Sequence, residues 1–223
     1  MKIRAIVTGV TGMVGEGVLH ECLQHPDVES VLVLGRRPCG VVHPKLKEIV
    51  RNDLFELDEV EEELRGYNAC YFCLGVSSVG MKEADYSRIS YDLTLSVAER
   101  LVRLNPDMTF CYVTGSGTDS TEKGKVMWAR VKGRAENHLL RLGFRDAYMF
   151  RPGFIQPTEG MKNVHRYYSY IRWLYRPMKR LMPNSATTNR EIGLAMINAV
   201  IYGSDKKVLD NIDISKLAQA GER

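Results

Sequence analysis

The sequence predicts an α/β fold, a doubly wound parallel sheet flanked by helices, and three observations carry that reading. Apolar strand-like runs alternate with helical stretches from the first residues to about residue 150. The runs are continuously apolar rather than alternating, as strands covered on both faces are. A glycine-rich turn, Thr8-Gly9-Val10-Thr11-Gly12-Met13-Val14-Gly15, joins the first run to the first helical stretch. Strands separated by helices pair in parallel through right-handed crossovers. The ligand crevice of such a sheet lies at the carboxyl ends of its strands.

Each element has its own signal. Residues 3–8 read as a buried strand, and 13–24 as a helix stopped by His25-Pro26. A second strand covers 31–34 and ends at Gly35. A weaker strand, 48–51, precedes an acidic helix near 60–64, which Gly66 stops. The fourth strand covers 69–74. A long helix spans about 83–104 and ends at Asn105-Pro106. The fifth strand covers 109–114, a helix 126–142 ends at Gly143, and the sixth strand covers 147–150. After Arg151 the rhythm changes. Apolar residues at helical spacing run over 164–182, where Pro177 would kink or split the helix. Thr188-Asn189-Arg190-Glu191 reads as a capping box opening a helix to about Tyr202. With no repeat or linker in view, residues 1–223 are expected to form one domain. A nucleotide-binding core covers about 1–155, and a small helical C-terminal cap or substrate region covers 156–223.

Bulk properties narrow the function classes. Of 223 residues, 44% are hydrophobic and 26% charged, the balance of a globular chain. A net charge of +4 suits an anionic ligand and does not by itself indicate nucleic acid. No secretory signal precedes the first strand, and no run reaches the ~18 apolar residues of a membrane helix. A cytoplasmic location is the expectation. Five cysteines are present. Cys70 and Cys73 form a C-x-x-C inside a strand-like run, where an odd separation points the two side chains to opposite faces. No second Cys/His pair has zinc spacing, so these are read as small core residues and no metal is expected.

The turn carries the chemistry. Gly9 permits the tight bend, Gly12 lets backbone approach a diphosphate, and Gly15 lets the helix pack closely on the strand. Thr11, Met13 and Val14 belong to the same cradle. A diphosphate there would meet the free amides and positive end of the first helix. This is a Rossmann-type dinucleotide site. The second strand ends in Gly35-Arg36-Arg37, where an NAD site usually places an acidic residue for the ribose. Two arginines there suit a 2′-phosphate, which favours NADP(H) over NAD(H). Asp53 and Leu54 follow the third strand at the place for adenine. Cys73, Leu74 and Gly75 follow the fourth, at the middle of the cofactor.

The T-G-x-T-G-x-x-G turn resembles the extended and atypical short-chain dehydrogenase/reductase superfamily. Leu34-Gly35-Arg36-Arg37, Cys73-Leu74-Gly75, Ser87-Arg88-Ile89-Ser90-Tyr91-Asp92 and Val131-Lys132-Gly133-Arg134-Ala135-Glu136 are similar to its Tat-interacting-protein-like branch, whose members carry NADPH. The likeness covers about residues 3–160. It implies that Pro152, Gly153 and Phe154, in Arg151-Pro152-Gly153-Phe154-Ile155, touch the nicotinamide end. It also implies a Ser, Tyr and Lys set: tyrosine exchanges a proton with the substrate oxygen, lysine lowers that tyrosine's pKa and binds the nicotinamide ribose, and serine orients the substrate. Lys132 matches the lysine, and Ser116 or Thr114 matches the serine. The tyrosine position, four residues before Lys132, is Trp128, whose indole N–H donates a hydrogen bond but shuttles no proton. Tyr112, Tyr167, Tyr168 or a water held by Ser116 are the candidate substitutes.

Three uses of the 164–182 stretch remain open. Tyr167, Tyr168, Tyr170, Trp173 and Tyr175 are interleaved with His165, Arg166, Arg172, Arg176, Lys179 and Arg180. The reading preferred is an amphipathic helix packed on the sheet edge; a substrate lid and a membrane-surface helix are the others. No nucleic-acid module appears. The sequence therefore points to an NADP(H)-binding, short-chain-dehydrogenase-like protein performing at most a redox or isomerase step, epimerisation included, on a small organic substrate. Against it stand a non-catalytic NADPH-binding regulator or scaffold and a peripheral membrane or partner-binding protein. A homodimer is expected by analogy alone.

Overall fold

The computed structural model describes residues 2–158 and 186–221. Over these residues the chain runs β1 (Ile3–Thr8), α1 (Met13–Gln24), β2 (Val28–Gly35), β3 (Leu46–Val50), a 3-10 helix (Asp58–Leu64), β4 (Ala69–Phe72), α2 (Glu83–Ser87), a π turn (Arg88–Asp92), α3 (Leu93–Leu104), β5 (Thr109–Val113), α4 (Met127–Leu139), β6 (Asp146–Phe150), β7 (Phe154–Gln156), β8 (Ala186–Thr188), α5 (Asn189–Ile201), β9 (Val208–Leu209) and α6 (Asn211–Ala218).

Seven strands form one sheet in the order β3-β2-β1-β4-β5-β6-β9, and every neighbouring pair is parallel. The chain winds outward from β1 through β2 to β3. It then returns to the middle and winds the other way through β4, β5 and β6. The direction reverses between β1 and β4, and a crevice opens there because the crossovers leave on opposite sides.

Alternation along each strand feeds two cores. Ile3, Ala5 and Val7 of β1, with Tyr71, Cys111 and Phe150, pack against Val18 and Cys22 of α1, Ile192 and Met196 of α5, and Ile214 of α6. Ile6, Leu32, Phe72, Phe110 and Met149 face the other way, onto Val97 and Leu101 of α3 and Leu139 of α4. Both faces are covered, which is why the strands read as unbroken apolar runs.

The structure refines the sequence reading in four places. The long helix predicted over 83–104 contains a π turn at Arg88–Asp92. The acidic helix is a 3-10 helix, and the fourth strand ends at Phe72 rather than at 74. Beyond Arg151 the helical reading omitted three short strands. β7 and β8 make a separate parallel pair, and β9 adds the seventh strand. None of the three is longer than 3 residues, too short to show a period. The helix expected over 164–182 lies outside the described residues.

The capping box is present in both directions. Thr188 Oγ1 accepts from Glu191 N at 3.0 Å, and Glu191 Oε2 accepts from Thr188 N at 2.8 Å. Truncating the hydroxyl leaves a helix-start amide without its partner. Thr188→Ala is expected to lower stability by about 1 kcal/mol and Tm by about 2–4 °C, read by calorimetry.

Candidate functional site

The crevice is built by backbone meeting backbone. Gly9 follows β1 with φ 71°, a left-handed conformation. A Cβ there would lie 2.6 Å from the Cys73 carbonyl and from Leu74 N. Gly15, in the first turn of α1, would place a Cβ 2.3 Å from Gly9 O. The turn closes with Gly12 N donating to Gly9 O at 2.9 Å. Gly12 differs from its partners. Its dihedrals are extended, and the only nearby atom, Gly9 O, is 3.4 Å from an added Cβ. Nothing inside the protein demands glycine there. Gly12 is instead part of the lining of the cavity over this turn. Gly12 is the N-cap of α1 and brings no side-chain cap of its own.

A second brace comes from the far end of the sequence. Asn189, the first residue of α5, donates from Nδ2 to Met13 O at 3.0 Å. Gly17 would place a Cβ 2.7 Å from Asn189 Cβ, and Gly193 would place one 2.7 Å from Glu21 Cγ. Helices α1 and α5 cross at these glycines, and the crossing fixes the start of α1.

A cavity of about 240 Å³ opens over this turn. Its lining joins the ends of β1, β2 and β4: Gly9, Val10, Thr11, Gly12, Gly35, Arg36, Arg37, Cys73, Leu74 and Gly75. Arg36 and Arg37 are exposed. Among the described residues neither has a carboxylate partner, and the lining contains no acidic residue. Met13, Val14 and Gly15 form the first turn of α1 behind it. Asp53 and Leu54 lie outside this lining. The Asp53 carboxylate accepts from Phe55 N at 2.9 Å, and the Leu54 side chain is buried in the core, which leaves only its backbone for a ligand. Cys70 packs into the core under α3, and Cys73 against the core under α1, on opposite faces.

A second constellation forms where β5, α4 and β6 meet. Lys132 of α4 donates from Nζ to Thr114 O at 2.8 Å. Burial lowers its pKa from 10.5 to about 8, and the charge of Glu136 opposes that fall. The fold therefore gives up stability to hold Lys132 charged at neutral pH, a cost that fades as pH rises from about 8 towards 10.5. Thr114 Oγ1 donates to Glu136 Oε1 at 2.5 Å. Glu136 is 1% exposed and is held by Arg151, whose Nε lies 3.1 Å from both carboxylate oxygens and whose Nη2 also bonds Oε2. Of the two serine-position candidates, Thr114 spends its hydroxyl on this carboxylate. Ser116 is exposed, with its backbone N–H tied to Pro152 O at 2.8 Å.

The β5–α4 loop lies directly on α4. Asp119 N donates to Ala129 O at 3.0 Å, and a Cβ on Gly133 would collide with Asp119 O at 1.8 Å. Trp128 is half-buried, one turn before Lys132 on the same helix face, with its ring 3.6 Å from the Cβ position of Gly117. Pro152, Gly153 and Phe154 follow β6. Gly153 N donates to Asn211 Oδ1 at 3.0 Å, which ties this loop to α6.

Tyr112, one of the candidate substitutes the sequence offered, is spent elsewhere. Its hydroxyl is buried and donates to Ser90 O in the π turn at 3.0 Å, and burial pushes its pKa far up. Tyr167 and Tyr168 lie outside the described residues. Sequence reasoning missed Glu136, Arg151 and Asn189 as parts of the site. Glu136 had a usable signal: a carboxylate four residues after a lysine on one helix face. Asn189 had none, because its partner is 176 residues away.

Fold and crevice define a Rossmann-type nucleotide-binding protein of the short-chain dehydrogenase/reductase kind, an atypical one. The model of the NAD dependent epimerase/dehydratase family matches residues 5–122, and the chain belongs to that family. The family implies a nicotinamide dinucleotide as cofactor. Curated relatives include "Protein fmp52-1, mitochondrial" of Aspergillus terreus, 27% identical over 156 residues, covering 67% of this chain and 66% of that protein. Protein FMP52, mitochondrial, of Debaryomyces hansenii is 25% identical and covers 71% of each. Protein HTATIP2 of Rattus norvegicus is 24% identical, covering 67% of this chain and 61% of that protein. The match thus spans about two thirds of these relatives' length. Among solved structures, UDP-N-acetylglucosamine 4-epimerase from Methanobrevibacter ruminantium superposes with a TM-score of 0.66 at 16% identity, covering 93% of this chain and 76% of that one. A short chain dehydrogenase family protein from Francisella tularensis gives 0.64 at 14%, covering 96% and 99%. These likenesses carry the fold.

The relatives' names correct the expected cytoplasmic location, since they point to the mitochondrion. Among the described residues no helix is long and apolar enough to cross a membrane.

The glycine geometry has a direct test. Gly15→Ala forces a Cβ into backbone and is expected to cost roughly 2–3 kcal/mol in urea unfolding. Gly12→Ala is expected to change stability by less than about 1 kcal/mol.

Proposed function

We propose that this chain binds NADP(H) in preference to NAD(H) across the carboxyl ends of β1, β2 and β4, and supports at most a redox or epimerase step on a small organic substrate. One observation carries this reading: Arg36 and Arg37 line the same cavity as Gly9 and Gly12, with no acidic residue beside them. A ribose 2′-hydroxyl calls for an acceptor at this place, and a 2′-phosphate for cations.

The residues fit the cofactor. The space left open at Gly12 suits a backbone-hugging diphosphate, and the amino end of α1 suits its charge. Arg36 and Arg37 would hold the 2′-phosphate. Asp53 and the backbone of Leu54 would meet adenine. Cys73, Leu74 and Gly75 would line the middle of the cofactor. Lys132 would bind the nicotinamide ribose, and Pro152, Gly153 and Phe154 would border the nicotinamide. When bound, the nicotinamide supplies a hydride donor or acceptor. The chain's part is to orient substrate through Ser116 and to keep Lys132 in place against Thr114 O.

Trp128 favours a second reading, a non-catalytic NADP(H)-binding regulator. It occupies the position from which the superfamily's tyrosine acts, and its indole donates without releasing a proton at ordinary pH. The names of the curated relatives support a mitochondrial location under either reading.

Two variants test these assignments. Arg36→Asp is expected to weaken NADPH binding by roughly 1 to 3 kcal/mol in calorimetric titration and to spare NADH; equal loss for both nucleotides removes the 2′-phosphate assignment. Trp128→Tyr is expected to create or raise carbonyl-reductase turnover over a panel of small aldehydes and ketones. No gain with cofactor still bound selects the regulator.

A further inference from the structure

Glu136 and Arg151 have no part in the readings above, yet they lie directly behind Lys132. Glu136 is almost wholly buried, and a bare carboxylate in such a place would cost several kcal/mol. Four donor contacts meet it: the Thr114 hydroxyl at 2.5 Å, Arg151 Nε at 3.1 Å to each oxygen, and Arg151 Nη2 on Oε2. The same Thr114 gives its carbonyl oxygen to Lys132 at 2.8 Å, while its N–H donates to Phe150 O at 2.8 Å. One residue at the end of β5 is therefore gripped by the lysine through its backbone and by the glutamate through its side chain. Arg151 begins the loop after β6 that carries Pro152 and Gly153.

We infer that Glu136, clamped by Arg151 and tied to Thr114, is the positioning residue for Lys132: it fixes the carbonyl that orients the ammonium and is the anion that keeps it protonated. Glu136 lies one helical turn after Lys132 on the same face of α4. Arg151 pairs directly with this carboxylate, whereas Lys132 bonds the Thr114 carbonyl and meets the Glu136 charge through space. Arg151 holds that carboxylate in a two-point fork and does not release its own proton. Lys132 therefore carries the more easily lost proton, and its loss is what a change at Glu136 would govern. The other charged groups on α4 are turned elsewhere. Arg130 pairs with Glu83 of α2 at 2.8 Å, Arg134 stacks on Tyr91, and His138 bonds the Tyr91 hydroxyl at 3.0 Å. Glu136 is the charged group that acts on Lys132, and it raises the lysine's proton affinity against burial.

The inference rests on the assignment of Lys132 to the nicotinamide ribose, but its test does not need the nucleotide. The protonation midpoint of Lys132 is read by NMR on protein labelled at lysine 13Cε, with the resonance assigned through Lys132→Met. In Glu136→Gln, which keeps the shape and removes the charge, the midpoint is expected to fall by about 1 pH unit or more. NADPH affinity in the same variant should then decline at a lower pH than in the parent protein. A folded Glu136→Gln protein with an unmoved midpoint overturns the inference. Should that variant fail to fold because Arg151 is left unpaired, Glu136→Gln is made on an Arg151→Met background; its midpoint is expected to fall below that of Arg151→Met alone, and equal midpoints in the two overturn the inference. Thr114→Ser keeps the hydroxyl tie and should preserve the parent profile, whereas equal behaviour of Thr114→Val and Thr114→Ser counts against the tie. If the parent protein binds no NADPH, the cofactor assignment falls, and the Lys132 midpoints still decide the role of Glu136.

Discussion

The geometry of this protein hangs on a steric fact at the middle of its sheet: the turn after β1 passes so close to the chain after β4 that no side chain fits between them. Gly9 abuts the Cys73 carbonyl, and Gly15 abuts Gly9. That double contact brings the start of α1 down against the carboxyl ends of two neighbouring strands. Strand order reverses at the same place, so the contact floors a crevice instead of filling a core. Gly12, under no such pressure from its own chain, is the glycine whose missing side chain leaves room for something else.

The crevice is held from behind by parts of the chain remote in sequence. α5 crosses α1 at Gly17 and Gly193, and Asn189 reaches the carbonyl of Met13. The C-terminal helices thus do more than cover the sheet. They fix the helix whose amino end faces the cavity, and α6 ties down the loop after β6 through Asn211. The loops that line the cavity are positioned by a scaffold drawn from both ends of the chain.

The cavity and the buried lysine cluster are separate parts of this architecture. The cavity with Arg36 and Arg37 belongs to β1, β2 and β4. Lys132, Thr114, Glu136 and Arg151 belong to β5, α4 and β6. Trp128 stands with the second group, one helical turn before Lys132 on α4.

The sequence by itself determined the strand–helix alternation, the glycine turn, the arginines after β2 and the capping box at Thr188, because each is a local pattern with a local cause. Periodicity, a missing Cβ and a side chain bonding its own helix start can all be read within a few residues. The π turn at Arg88–Asp92 and the three short strands after Arg151 were not legible. A π turn changes no residue pattern, and strands of two or three residues owe their existence to the partner that receives them. The tertiary structure alone decided that Tyr112 is spent on Ser90, that Leu54 is turned inward, and that Glu136 meets Arg151 behind Lys132. A buried charge or hydroxyl must find its partner wherever the fold brings one, and sequence distance carries no record of that pairing.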